Sequence, residues 1–87
     1  MALRVTAEHI ARAANGEACP IGHALEDRDG DIVWRVSEGD VVAMRPDSDA
    51  EVVWWLDRIG RNFIKNFDLR RSVSPVEITL RRVHEQV

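Results

Sequence analysis

The sequence has very little cysteine: Cys19 is the only one among 87 residues. A lone cysteine cannot form an internal disulfide bond, and this usage is typical of the reducing cytoplasm, where we expect the protein to act. No apolar run approaches the roughly 18–20 residues that a membrane-spanning helix needs, so we predict no membrane association. The first residues also lack the apolar stretch of a secretory signal peptide.

Motifs of common nucleotide-binding and hydrolytic enzymes are also missing. There is no Walker-type Gly-Lys-Ser/Thr loop, no GxGxxG, no HExxH and no GxSxG. The length fits one domain over residues 1–87, which buries only roughly 60–65% of its unfolded surface and leaves little room for a deep active-site cavity. We therefore expect a non-enzymatic protein without a cofactor.

Lysine is almost absent, because eleven of the twelve basic residues are arginine and Lys65 is the exception. The net charge of −3 argues against a general nucleic-acid-binding protein. The charge is unevenly distributed, since residues 1–50 carry −5 and residues 51–87 carry +2. The arginine excess is consistent with the codon usage of a high-GC genome, and it also suits bidentate contacts with anions.

Two short helices are predicted in the first third of the chain. Thr6 is a suitable N-cap, and Asn15 with Gly16 is a typical stop signal for the first helix. Pro20 suits the first turn of the second helix, which we expect to end at Gly30.

The pattern then changes to a period of two residues, which is typical of strands. Alternating segments at 31–36 and 41–45 predict a β-hairpin, and 75–80 predicts a last strand. A helix is expected over 57–66, with Asp57 as its N-cap. The predicted order is α-α-β-β-β-α-β, which indicates a small α+β domain whose antiparallel sheet has helices packed on one face.

Residues 51–56 are apolar at consecutive positions, so they fit either a strand covered on two sides or the start of a helix. We prefer a strand. Trp54 and Trp55 would then point to opposite faces, and they cannot both enter a one-sided core. One of them is therefore expected at a second covered face, at a partner or at the surface, where tryptophan is a frequent binding hot spot.

A basic cluster follows the tryptophan pair and is the second candidate binding feature. It consists of Arg58, Arg61, Lys65, Arg70, Arg71, Arg81 and Arg82, of which the first five are the candidate binding residues. The first three share a helix face by spacing, and such a cluster could hold phosphates. The alternative is an ordinary solvated helix face, since the chain has no tyrosine to stack on bases.

Cys19, His23 and Asp27 are spaced four residues apart, which would align them on one side of a helix. Such a set could bind zinc, but structural zinc sites normally need four ligands, and we predict no metal site. A reactive thiol is the other alternative, because a helix N-terminus lowers the pKa of a cysteine. His9, His23 and His84 are the only candidate bases, and no third group is placed to orient them.

The chain resembles small uncharacterised proteins of phages and high-GC bacteria. The matching segments are residues 5–11, 19–21, 24–25, 67–68 and 76–80. Those relatives carry a second cysteine three residues before the Cys-Pro pair, where this sequence has Gly16. The resemblance implies a phage or mobile-element context and no particular activity.

Three functional hypotheses follow from these features. The first is a non-enzymatic accessory module that docks on a host or viral protein, with a homodimer left open, through Trp54 or Trp55 and the arginine-rich half. The second is a nucleic-acid-binding protein that uses the basic cluster. The third is a small metal or thiol protein centred on Cys19 and His23.

Overall fold

A computed structural model describes residues 1–14 and 19–83 of the chain. These residues form three helices and five strands, whose order is β1 (Ala2–Val5), α1 (Ala7–Ala14), α2 (Pro20–Arg28), β2 (Val33–Val36), β3 (Asp40–Met44), β4 (Glu51–Leu56), α3 (Arg58–Asp68) and β5 (Val76–Arg82). The predicted stop signal at Asn15 and Gly16 lies outside the described residues, as does His84.

The five strands form one antiparallel sheet in the order β1-β5-β4-β3-β2. The α+β class is therefore confirmed. The helices bury their apolar residues, among them Ile21, Leu25 and Phe63, in the same cluster as the inward side chains of the sheet. Helices thus cover one face of the sheet, as the order of the elements predicted.

Strand β1 is the one element that the predicted order omits. Its side chains alternate, with Leu3 and Val5 buried between exposed neighbours. It pairs with β5, so that Leu3 faces Ile78 and Val5 faces Val76. A strand of four residues carries too few alternations to be recognised, and its hydrogen-bonding partner is more than 70 residues away in the sequence.

The junction between β4 and α3 is held by a single carboxylate. The Asp57 Oδ1 atom accepts a hydrogen bond from the Gly60 amide at 2.7 Å, which is an N-cap, and Oδ2 accepts one from the Thr79 amide at 2.9 Å. The predicted N-cap is confirmed, and it also ties α3 to strand β5. Residues 51–56 are a strand, as preferred.

A helix must be both long and apolar to cross a membrane. None of the described helices is both long enough and apolar enough to do so.

Candidate protein-binding surfaces

The face of the sheet that lies away from the helices carries an exposed apolar patch, which we call the open face. It consists of the outward apolar side chains of β2, β3 and β4, namely Val33, Val42, Met44, Val53 and Trp55. Val33 and Trp55 are 51% and 49% exposed, and the other three are half-buried. Soluble domains normally give such a sheet face polar side chains, so an apolar centre here is informative.

The two adjacent tryptophans are separated by the sheet, as the strand geometry requires. Trp54 points to the helix side and packs against the core. Trp55 points to the open face, where the guanidinium carbon of Arg81 lies 5.3 Å from the centre of its ring. Arg81 is the cross-strand neighbour of Trp55 on β5. This cation–π contact orients the indole without covering it.

A cleft of about 760 Å³ opens beside Trp55, where β4 meets α3. Its charged lining groups are Asp40, Asp57, Arg61 and Arg81. Asp57 has both carboxylate oxygens engaged with backbone amides, so it is a structural group and not a free ligand. The cleft therefore presents the guanidinium groups of Arg61 and Arg81 beside the Trp55 indole. Asp40 contributes the one lining carboxylate that does not cap the helix.

The predicted basic residues are all exposed, but the fold does not gather them around Trp55. These residues are Arg58, Arg61, Lys65, Arg70 and Arg71. Of these five, Arg61 alone lines the Trp55 cleft. No described carboxylate forms a salt bridge with any of the five, and Arg71 donates a hydrogen bond to the Asn66 side chain at 3.4 Å. Arg58, Arg61 and Lys65 thus lie on α3, and Arg70 and Arg71 lie in the turn that follows it.

His9 has a structural role that its sequence position did not indicate. It is buried, its Nδ1 accepts a hydrogen bond from the Thr6 amide at 2.9 Å, and its Nε2 lies 2.8 Å from Asp27 Oδ2. Because the amide occupies Nδ1, the proton is on Nε2 and is donated to Asp27. Arg12 donates to the same carboxylate oxygen at 2.6 Å. These hydrogen bonds from His9 and Arg12 lower the pKa of Asp27.

The Cys19, His23 and Asp27 set is not brought together in the fold. Cys19 is the N-cap of α2, and its Sγ accepts a hydrogen bond from the Gly22 amide at 3.4 Å. Asp27 pairs with His9 and Arg12, whereas the nearest acidic partner of His23 is Glu26, at 3.9 Å. Within residues 1–14 and 19–83, no group of three His, Cys, Asp or Glu side chains could hold a metal ion.

The reactive-thiol alternative requires a lowered pKa at Cys19, and the pKa is raised instead. Burial of the thiol raises its pKa, and this effect exceeds the opposite effect of the hydrogen bond from the Gly22 amide. A desolvated thiolate is costly, and at this position that cost outweighs the favourable effect of the helix N-terminus on the thiolate. The Nε2 atom of His23 is buried and has no hydrogen-bond partner among the described residues.

A second concavity lies on the helix side of the sheet, beyond the part that the helices cover. We call it the Trp groove, and the residues that define it are Trp34, Ala43, Arg45, Val52, Trp54 and Arg82. Its volume is about 240 Å³. Sequence reasoning missed this site, because its residues come from four strands and one loop. One feature of the sequence could have indicated it. Ala43 is a small residue on β3, and both of the neighbouring strands, β2 and β4, carry a tryptophan.

Comparisons with known proteins found no matching family model, no matching curated protein and no matching solved structure.

Proposed function

We propose that the protein is a non-enzymatic protein-binding module that docks on a partner through the open face. The observation that carries this proposal is the half-exposed Trp55 in an apolar patch on a sheet face that no described helix covers. Burying a large apolar side chain contributes roughly 1.5–3 kcal/mol. A face that leaves such side chains in solvent has a clear energetic reason to bind a partner.

The arrangement of charge around the open face favours a protein partner. Charged side chains occupy its margin, where Arg35 and Arg81 balance Asp40 and Glu51. An apolar centre with a mixed polar margin is the usual anatomy of a protein–protein interface. Trp55, pre-oriented by Arg81, has the chemistry of an interface hot spot, because tryptophan and arginine are enriched at such positions.

The surroundings of four titratable groups support the proposal that the protein is not an enzyme. His9 and Asp27 bind each other between two helices, Asp57 caps α3, and the Cys19 thiol has a raised pKa. None of these groups offers a free nucleophile beside a free base. The resemblance to phage and high-GC bacterial proteins implies that the partner is a host or viral protein, and a second copy of the chain is the other occupant to test.

The first experiment is the solution mass of the purified protein by light scattering at low and high salt. A dimer that persists in high salt, and that Trp55→Ala disrupts, would identify a second copy on the open face, since apolar association resists screening. The matched control is Ile59→Ala, because Ile59 is 52% exposed but lies on α3. This variant should leave the mass unchanged.

If the protein is a monomer, a photo-crosslinking residue at position 55 should be compared with the same residue at position 59. The proposal expects a discrete crosslinked partner from position 55 and none from position 59. Equal or absent crosslinking at the two positions would contradict docking through the open face.

A second candidate function is nucleic-acid binding through α3. The observation that favours it is the absence of salt bridges between the five basic residues and any described carboxylate. Such binding should weaken steeply with salt, because each phosphate contact releases counterions. Replacing Arg58, Arg61 and Lys65 with Gln should flatten that dependence, whereas Arg35→Gln on the sheet should not. Binding that is absent at low salt would exclude this function.

A further inference from the structure

The Trp groove is built by the register of three strands. Trp34 on β2 faces Ala43 on β3, and Ala43 faces Val52 on β4. Trp54 stands one step further along β4 on the same side of the sheet. Because β2 and β4 are separated by two strand spacings and Trp54 lies two residues beyond Val52, the backbones under the two indoles are about 12 Å apart. The small Ala43 side chain leaves the space between them open to a flat or slender group.

The walls of the groove are held in place before anything binds. The Trp34 Nε1 atom donates a hydrogen bond to the Asp29 carbonyl at 3.1 Å, so the polar atom of that indole is satisfied. Trp34 and Trp54 both pack against the core. In the neighbouring loop, the Ser48 hydroxyl accepts from the Ala50 amide at 3.1 Å. A preformed site binds with a smaller loss of conformational entropy than a mobile one.

The charged residues that line the groove are both basic. Arg45 and Arg82 line it, and none of the described groove-lining residues is acidic. Neither arginine forms a salt bridge with a described carboxylate. Asp47 and Asp49 belong to the adjacent loop and are exposed, but they do not line the groove. An occupant should therefore combine an apolar group for the indoles with negative charge for the two guanidinium groups.

The size of the groove favours part of a polypeptide over a cofactor. Its volume of about 240 Å³ is below the 300–1,000 Å³ that is typical of small-molecule sites, and it suits one or two side chains. A nucleic acid is disfavoured, because its regular phosphates would have to pass the acidic loop at Asp47 and Asp49. A peptide, in contrast, can carry carboxylates at the positions that face Arg45 and Arg82 and none at the positions beside the acidic loop.

We propose that the Trp groove binds an acidic segment of a partner protein, with one apolar side chain inserted between Trp34 and Trp54 and flanking carboxylates paired with Arg45 and Arg82. Aromatic-lined grooves that accept a side chain are a recurrent mode of peptide recognition. The groove lies on the opposite side of the sheet from the open face, so this second binding site goes beyond the function proposed above and does not depend on it.

The test uses the full chain with Trp55→Phe, which leaves Trp34 and Trp54 as the only tryptophans and makes their fluorescence a direct report on the groove. The probe is a short blocked peptide with one Phe flanked by Glu residues. We expect a saturable change in fluorescence that weakens as salt is added, because the carboxylate–guanidinium contacts are screened. The same peptide with Gln in place of Glu, or Ala in place of Phe, should bind roughly tenfold more weakly.

The protein variants separate the groove from the rest of the surface. Arg45→Gln and Arg82→Gln should each weaken binding by about tenfold. Arg35→Gln is the matched control, because this exposed arginine lies on β2 but points away from the groove. It should leave the affinity unchanged. Ala43→Leu should block binding by filling the base of the groove, provided that its thermal unfolding remains cooperative.

Three outcomes would overturn the proposal. They are no saturable binding of the Phe-Glu peptide, equal binding of its Gln counterpart, and tighter binding of single-stranded oligothymidylate that depends on Arg45 and Arg82. The last result would assign the groove to nucleic acid. The assay is run in the Trp55→Phe background and reports on Trp34 and Trp54. Failure of the peptide to bind would therefore overturn the groove proposal without bearing on the open face.

Discussion

The Nε2 atom of His9 donates a hydrogen bond to Asp27 Oδ2 at 2.8 Å, and this contact joins α1 to α2. Arg12 reaches the same oxygen from the exposed side. The buried imidazole is thereby satisfied at both nitrogens, since the Thr6 amide donates to Nδ1. This carboxylate thus links two short helices that also pack against each other, and its ionisation gives the stability of the fold a dependence on pH.

We expect Asp27→Asn to lower the melting temperature at pH 7, and we expect this effect to shrink as the pH falls below 3.8, the ordinary pKa of the carboxyl, and to disappear below the lowered pKa of the folded state. The pKa of Asp27 is lower in the folded protein than in the unfolded chain, because His9 and Arg12 donate to the ionised carboxylate. Its contribution to stability is complete above the unfolded pKa and is lost as the pH falls through the folded pKa. Thermal unfolding of both proteins across this range measures it.

The control for that experiment is Asp47→Asn, which removes an exposed loop carboxylate without a described salt bridge. Its difference from the wild type should be small at either pH. A difference between wild type and Asp27→Asn that is the same at pH 7 and in acid would contradict the role given to the carboxylate.

The thiol of Cys19 should react slowly in the folded protein. Burial raises its pKa, so the thiolate that attacks alkylating reagents is scarce near neutral pH. We expect alkylation to be slower in the native state than in denaturant, and to accelerate as the pH is raised. The unfolded chain is its own control, because it contains no other cysteine. Faster labelling of the native protein would restore the reactive-thiol hypothesis.

Asp57→Ala should destabilise the fold by about 1.5–2.5 kcal/mol. Loss of an N-cap costs about 1 kcal/mol, and the Thr79 amide also loses its acceptor. Asp57→Asn should cost less, because its single carbonyl oxygen can still accept one of the two hydrogen bonds. Urea denaturation measures both values. Equal losses for the two variants would mean that charge, and not hydrogen bonding, explains the effect.

Arg70→Gly should stabilise the protein by about 1 kcal/mol. Arg70 has a φ of 59°, and the Arg70 and Arg71 amides donate to the Phe67 and Asn66 carbonyls. This is a Schellman motif, in which glycine avoids the cost of the left-handed conformation. The comparison is Arg71→Gly, since Arg71 does not have a positive φ. Denaturation midpoints should rise for the first variant only, and a fall for Arg70→Gly would show that the arginine side chain outweighs the strain.

Local patterns in the sequence predicted much of the fold correctly. The alternation around Ile78 and Leu80 predicted β5, and both side chains are buried. The capping chemistry of Asp57 predicted the start of α3. These features depend on residues within a few positions of each other, so their physical cause is contained in a short stretch of sequence.

The candidate sites were less accessible to the same reasoning. The Trp54–Trp55 pair required that the two rings point to opposite faces, but it did not indicate which one would be exposed. That choice depends on where the helices pack, and they cover the side of Trp54. The five candidate binding residues on α3 and after it illustrate the same limit, because Arg61 is the one among them that lines the Trp55 cleft.

The sequence by itself determined the α+β class, the alternation of the later strands and the opposition of the two adjacent tryptophans, because these follow from backbone periodicity and local hydrogen bonding. Only the tertiary structure decided the pairing of β1 with β5, the contact of His9 with Asp27 and the Trp34–Ala43–Trp54 groove. Each of these joins residues that are distant along the chain, and only sheet register and helix packing bring them together.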